Sequence, residues 1–551
     1  MLDSGDFVTA RLNGVAYLEK SPLIYWVMAA SFKVFGVHDW SARLPLALIV
    51  VLLAWTTYRF ARWACGDIST LYAGLIMGTC VGLFLFTRIL IPDAALTLSI
   101  TVALWAFLRL VEGETASLRW ALILGMALGA GLLLKGAIAI VFPAGIGFLF
   151  LAVTRRLFAL SAWRSLRLGT VIIVMLVVAA PWHVLAILRN PPYFNFSLHS
   201  GPGDYKGFFW FYFFNEHLLR FLNLRYPRDY NTVPRLLFWV LNLAWLFPWS
   251  VYLPATLTLG FKSNDRAARV RLLAVCWIAV VMGFFTFSTT QEYYSMPIYP
   301  AMALLLAGAI ASPSPWVKYC TRFLMGMLVC VFAALVALLY LSRGVTPVGD
   351  ISTALTQNPE MYTLSLGHMT DLTVGAFAYL RTPLVLAAVA VLVGLGGTFY
   401  FRKQLSLIVC SIALMMVLFF QAARLAMVTF DPYLSSYPLA AALRSSPPGD
   451  LIEADAYYAF SSVFFYTNRR ALLLNGRINN LEYGSNSPGA PGVFIGDEQF
   501  VRLWKQPRRY YLLIYGDDLS HIQQLVGEPA VFVVRRNAGN YLLTNMPIVP
   551  Q

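Results

Sequence analysis

Leu18-Glu19-Lys20-Ser21-Pro22-Leu23-Ile24-Tyr25-Trp26 sets an acid beside a base, then a proline able to open a helix, then aromatic and aliphatic residues. That order reads as polar chemistry placed at the edge of a membrane. Downstream the chain is mostly hydrocarbon, and a charge inside a bilayer costs free energy. The few acids and bases outside the basic loops are therefore the first candidates for function. Glu19 and Lys20 are the first such pair.

The composition agrees. The chain has 551 residues, 59% of them hydrophobic and only 12% charged, with a mean hydropathy of +0.67. It is too apolar for a soluble multidomain protein and reads as a polytopic α-helical membrane protein. The net charge of +15 is spread over Arg59 and Arg62, Arg155 to Arg167, Lys262 to Arg271, Lys318 and Arg322, and Arg402 and Lys403, all in short breaks between apolar runs. This is the positive-inside pattern, and it makes a nucleic-acid partner unnecessary. The six cysteines lie in or beside apolar runs without metal-ligand spacing, so neither a disulfide framework nor a zinc site is expected.

Pro22 to Gly36 reads as an aromatic interfacial helix. Apolar runs follow at about 43–58, 68–86, 94–108, 118–134, 137–153, 168–187, 234–257, 270–288, 296–311, 323–341, 382–401 and 405–424, each near the roughly 20 residues that cross a bilayer. About twelve spans result. With the basic breaks in the cytoplasm, the exported side receives the amino terminus, Pro92-Asp93, Lys135-Gly136, Asn190 to Thr232, Thr289 to Tyr294, Ser342 to Arg381 and everything after Leu425. Strand-length runs at Val463–Tyr466, Ala471–Leu474, Val493–Ile495 and Tyr510–Tyr515, separated by turn-rich pieces, predict a small exported α/β domain. The expected division is 1–42, a first-loop remnant with the interfacial helix; 43–425, the bundle; and 426–551, the exported domain. The charge pattern also predicts a first anchor upstream of Met1.

Each polar candidate has a plain structural alternative. Asp93 suits a helix start and Lys135 a snorkelling anchor. Glu216 and Arg220, four apart, suit a helix salt bridge, and a lone His217 is more often structural than a base or metal ligand. Glu292, Tyr293 and Tyr294 fit an interfacial aromatic belt. Convergence favours function: all of these fall on one side, together with Glu19 and Lys20. Cations there can hold a phosphate while a carboxylate takes a proton from an attacking alcohol.

In order along the chain, Leu18 to Trp26, Pro92-Asp93, Leu134-Lys135-Gly136, Glu216-His217-Leu218-Leu219-Arg220-Phe221 and Phe247-Pro248-Trp249 resemble the landmarks of bacterial GT-C glycosyltransferases. The pattern is most similar to the type that moves 4-amino-4-deoxy-L-arabinose from undecaprenyl phosphate to lipid A, with kinship to protein mannosyltransferases. Leu481 to Asn486 and Asp497-Glu498-Gln499-Phe500 in the tail are similar too. The resemblance implies a GT-C bundle in the bacterial inner membrane, with its active site and C-terminal domain on the periplasmic side. It further implies Lys20, Lys135 and Arg220 on the donor phosphate, Glu19 and Asp93 as the catalytic acids, and Glu216, His217, Glu292, Tyr293 and Tyr294 in the cavity.

Two departures stand out. The family's acidic pair in the first exported loop has no counterpart after Met1, since Asp3 and Asp6 lie too close to the turn, and Thr290-Gln291-Glu292-Tyr293-Tyr294 replaces a lysine-rich turn. The expected partners are a polyprenyl-phosphate sugar donor, lipid A or another envelope acceptor, and membrane lipid. No motif demands a cofactor, and a role for a divalent cation stays open. Two other classes compete: a lipid or solute transporter or flippase, which would bring inverted repeats and charges on broken helices, and a catalytically incomplete membrane scaffold.

Overall fold

The structure, a computed structural model, describes residues 1–113, 117–228, 232–261, 265–288, 290–349, 351–355, 367–454 and 456–548. Thr289, Lys262 and parts of the segments 190–232 and 342–381 considered above lie outside the described residues.

Asn13 and Gly14 both hold positive φ, 51° and 87°, the conformation a two-residue hairpin turn needs. They join β1 (Ala10–Leu12) to β2 (Val15–Tyr17), antiparallel, with Leu12 opposite Val15. Residues 1–20 thus hold a hairpin where composition indicates only a mixed polar segment. Its second strand leads directly into Glu19 and Lys20. The interfacial helix follows as α1 (Leu23–Phe35), stopped by Gly36 at φ 78°.

The bundle continues with α2 (Asp39–Ala64), α3 (Ser69–Thr79), α4 (Val81–Phe86), α5 (Asp93–Val111), α6 (Ser117–Lys135), α7 (Ile138–Val153), α8 (Leu160–Ser165) and α9 (Leu168–Arg189). After a short α10 (Gly207–Phe209) come α11 (Arg235–Trp245), α12 (Arg266–Phe287), α13 (Tyr299–Ala311), α14 (Pro315–Leu341), α15 (Ala376–Tyr379), α16 (Arg381–Tyr400) and α17 (Leu405–Leu434). Among the described residues nine helices are long and apolar enough to cross a membrane, or ten if Arg235–Trp245 and Trp249–Thr258, bent by 99°, form one span. The other two apolar runs, 68–86 and 137–153, are shorter pieces. The first is broken at Cys80, whose backbone is extended, and the Val81 N–H bonds instead to the Phe247 carbonyl at 3.2 Å. The second is the 16-residue α7. Helix α17 runs on through residue 425 to Leu434.

Lipid is as apolar as leucine, so close backbone approach rather than water exclusion holds such helices together. Gly125 and Gly129, one turn apart on α6, show it. A Cβ on Gly125 would lie 2.7 Å from the Val171 carbonyl oxygen of α9, and one on Gly129 2.7 Å from the Val178 Cβ. This seam fixes the position of Lys135 at the end of α6.

Residues 437–548 form the α/β domain. Its sheet has the order β5-β4-β3-β6-β8-β7, built from β3 (Asp450–Ala454), β4 (Ala471–Leu474), β5 (Phe494–Ile495), β6 (Tyr510–Tyr515), β7 (Phe532–Asn537) and β8 (Asn540–Thr544). The first four are parallel, and β8 runs antiparallel between β6 and β7. Its helices are α18 (Tyr437–Ser445), α19 (Ser461–Thr467), α20 (Glu482–Ser485), α21 (Asp497–Trp504) and α22 (Leu519–Val526). Val463–Tyr466, expected as strand, lies in α19: Val463 and Phe464 face the core while Phe465 is exposed, a helical rather than alternating pattern.

The domain is clamped to the first hairpin. The Asn13 side chain bonds both the N–H (3.1 Å) and the carbonyl (2.8 Å) of Ala471. Gly484 lies so close to β2 that a Cβ would stand 1.9 Å from the Ala16 oxygen. Tyr483 accepts from the Lys206 N–H at 2.8 Å, donates to the Gly207 carbonyl at 2.9 Å and stacks on Phe211 at 3.9 Å.

Candidate active site

The turn between the hairpin and α1, the end of α6, the start of α7, the segment after α10 and the end of α12 line a cavity of about 390 Å³ at the domain end of the bundle. Ser21 is pinned to α6: its hydroxyl donates to the Leu132 carbonyl at 3.0 Å and takes a hydrogen bond from Tyr212. Glu19 and Lys20 are thereby held at the cavity wall. Glu19 is buried, whereas the Lys20 side chain keeps 30% of its surface, with Nζ 3.6 Å from Glu19 Oε2.

Trp210–Leu219 winds as a π-helix, a form that concentrates at functional sites. It brings Glu216 and His217 to the cavity, and Arg220 follows one turn on, 3.3 Å from Glu216 Oε2. Arg220 also donates to the Tyr294 hydroxyl at 3.1 Å. A residue passed over in the sequence completes the group. Arg225, 7% exposed, reaches Glu19 Oε1 at 3.3 Å and Glu216 Oε1 at 3.0 Å, bridging two carboxylates some two hundred residues apart in sequence. Its only local signal is one more arginine in an aromatic segment.

Burial raises the Glu19 carboxyl above its usual range. The neighbouring Glu216 raises it further, and Lys20, Arg225 and Arg220 offset part of the shift. His217 is pushed the other way, below an ordinary imidazole, chiefly by burial. Its Nε2 accepts from the Ala137 N–H at 3.1 Å, so Nδ1 carries the proton and donates to the Tyr212 carbonyl. With both nitrogens committed to backbone, His217 lines the cavity as a brace and not as a free base. It braces the turn that carries Lys135: Gly136 holds φ 68°, and a Cβ there would stand 2.1 Å from His217 Nε2.

Lys135 bonds Asp93 Oδ1 at 2.5 Å and lies 4.7 Å from the Tyr294 ring centre and 5.5 Å from that of Tyr293. Asp93, 2% exposed at the start of α5, therefore meets the cavity only through Lys135. Of the Glu292 to Tyr294 group, Tyr294 lines the cavity, while Glu292 and Tyr293 stand outside the lining. Asp6 is committed elsewhere. Its carboxylate accepts from the Val8 and Thr9 N–H groups and pairs with Arg189 at 2.8 Å.

The lining carries three cations, Lys20, Lys135 and Arg220, beside two carboxylates, Glu19 and Glu216, with Asp93 bonded to Lys135 and Arg225 bridging the two glutamates behind it. Cations gathered on one wall can hold an anion. The opposite wall is apolar, with Ile138, Phe284 and Phe285, and the lining residues Val141, Leu218 and Phe221 are exposed on the outer surface. Such a pocket suits an amphiphile with an anionic head, entering sideways from lipid.

Comparison with known proteins agrees with this geometry. Residues 19–182 match the family described as Dolichyl-phosphate-mannose-protein mannosyltransferase. The undecaprenyl phosphate-alpha-4-amino-4-deoxy-L-arabinose arabinosyl transferase 1 of Pseudomonas fluorescens (strain Pf0-1) is 30% identical over 386 residues, 67% of this chain and 60% of that protein. The corresponding transferase 1 of Sodalis glossinidius is 31% identical over 322 residues, 56% and 52%. Among solved structures, ArnT from Cupriavidus metallidurans bound to undecaprenyl phosphate superposes with a TM-score of 0.79 at 22% identity, covering 100% of this chain and 93% of that one. Its apo state gives 0.75, with 99% and 91% covered. The chain thus resembles GT-C, aminoarabinose transferase-like proteins in sequence and shares their fold. It spans between about half and three fifths of the length of the curated relatives named here. In this chain the family match begins at Glu19, the residue at which the charged wall of the cavity begins.

Proposed function

We propose that the chain is a membrane glycosyltransferase that takes a sugar from a polyprenyl-phosphate donor on the periplasmic face, with aminoarabinose as the sugar and lipid A as the acceptor. The observation that carries the proposal is the gathering of Lys20, Lys135 and Arg220 on one wall of a cavity otherwise lined largely by apolar residues. Relatives named for undecaprenyl-phosphate aminoarabinose transfer support it, as does a fold shared with a structure bound to undecaprenyl phosphate. The division of labour we propose is 1–42 as first loop with hairpin and interfacial helix, the helices from 43 through the end of α17 at Leu434 as transferase bundle, and the remainder as periplasmic domain.

In this mechanism the acceptor hydroxyl attacks the anomeric carbon opposite the phosphate. A new C–O bond forms as the bond to the phosphate oxygen breaks, with inversion. The departing phosphate keeps the electron pair and is held by Lys20, Lys135 and Arg220. The hydroxyl proton passes to a cavity carboxylate, for which Glu19, made readier to bind a proton by burial and by Glu216, is our choice. Asp93 serves the reaction by holding Lys135 in place.

The transporter or flippase alternative predicts movement of the lipid without a change in its sugar, and the scaffold alternative predicts neither. Incubating the purified protein with a polyprenyl-phosphate sugar and lipid A, then weighing the products, distinguishes the three. Transfer that survives Lys20→Ala undiminished would remove the proposed phosphate site.

A further inference from the structure

A second group of cations at the domain end takes no part in the cavity. Arg88 follows α4, and its guanidinium lies 4.2 Å from the centre of the Phe84 ring. Phe84 in turn stacks on Phe420 of α17, with centroids 4.3 Å apart and planes 4° from parallel. Arg424 is one turn beyond Phe420 on the same face of α17. Arg43, in the second turn of α2, completes the set: Arg88 stands within electrostatic reach of both Arg43 and Arg424. All three arginines are exposed. Among the described residues neither Arg43 nor Arg424 forms a hydrogen bond or an ion pair.

Mutual repulsion of three guanidinium groups costs free energy, and the positive-inside rule supplies no reason for arginines at this end. The acids nearby are Asp39 and Asp431, both exposed, with Arg43 within electrostatic reach of Asp431. Two carboxylates against three cations leave one positive charge. Below Arg424, α17 turns Leu414 and Val417 outward, and Val417, seven residues before Arg424, shares its face of the helix.

We propose that Arg43, Arg88 and Arg424 bind the phosphate of an anionic membrane lipid whose acyl chains lie along α17. Guanidinium forks suit phosphate oxygens, and the exposed apolar face of α17 favours a lipid over free phosphate. The site is separate from the cavity and does not depend on the reaction proposed above. Two sources share this chemistry: a bulk phospholipid of the leaflet, and a phosphorylated glycolipid such as the acceptor.

Native mass spectrometry of the full chain with added phosphatidylglycerol, diphosphorylated lipid A or uncharged diacylglycerol tests it. Each single Arg→Gln change should weaken retention of a charged lipid about fivefold, and diacylglycerol retention should not change. Loss of both charged lipids assigns the site to leaflet phospholipid in general, and loss of lipid A alone assigns it to the glycolipid. Equal retention by the wild type and the Arg43→Gln/Arg88→Gln/Arg424→Gln protein overturns the proposal. If that triple variant fails to fold, Arg88→Lys, which keeps the charge and loses the fork, serves instead, together with a salt series on the wild type. Retention insensitive to both overturns the proposal equally.

Discussion

The two ends of the bundle handle charge differently. At the end away from the domain, Arg109 packs over Trp120 (4.2 Å), Trp63 (5.1 Å) and Trp105 (5.7 Å), Arg266 over Trp63 (4.7 Å), and Arg269 meets Glu112 at 2.5 Å. These three cations rest on rings or meet an acid. At the domain end Lys20, Lys135 and Arg220 share one cavity with Glu19 and Glu216. A buried charge is a weak sign of function until its surroundings are known. What marks a site is several charges facing one empty volume.

The contrast can be broken most sharply at Arg225. Replacing it with Met should leave Glu19 and Glu216 facing each other without their bridge, at a cost of about 3–5 kcal/mol. Thermal unfolding in detergent would measure it, and a loss below about 1 kcal/mol would show that the bridge is not what holds the wall. Lys20→Ala should leave the fold intact and slow transfer from a lipid-linked donor about a hundredfold or more, as removal of a charge-stabilising donor does. Gly136→Ala combines a positive φ with a clash against His217, and should destabilise by about 1–3 kcal/mol while weakening donor binding. Gly326→Ala, in α14 with nothing near its Cβ, should be neutral or stabilising by up to about 1 kcal/mol.

The pH dependence of Glu19 sharpens the comparison further. Its folded-state pKa is raised, so the native state binds its proton more readily than the unfolded chain does. Its contribution to stability is full at pH below the unfolded carboxylate value and is lost as pH rises through the raised value. Glu19→Gln should therefore be at least as stable as the wild type at neutral pH, with that margin shrinking on acidification. Transfer by the wild type should fall on the acid side with a midpoint above that of an ordinary glutamate. An unshifted midpoint would argue that another group takes the proton. The smallest effect belongs to the other end: Arg109→Gln should cost about 1 kcal/mol of stability and leave transfer unchanged.

Much of this was legible from the linear chain, but unevenly. Glu19, Lys20 and Ser21 are consecutive, so their common location needed no folding rule, and the Glu216–Arg220 pair follows from helical spacing. Asn13-Gly14 and Gly125-Met126-Ala127-Leu128-Gly129 were readable signals for the hairpin and for the α6–α9 seam. Nothing in sequence announces that Arg225 will lie between two glutamates, that Lys135 will take Asp93 away from the cavity, or that both His217 nitrogens will be occupied by backbone.

By itself the sequence determined the membrane class, the order of the apolar helices, the sheet-bearing tail and the side on which the polar residues gather. Those are consequences of hydrophobic run length and local periodicity, which any short window of residues expresses. Tertiary structure decided which acid meets which base, where the cavity opens and how the domain clamps the first hairpin. Such contacts join residues separated by tens to hundreds of positions. A charge's partner depends on the orientation of neighbouring helices to within a few ångströms, which no single segment encodes.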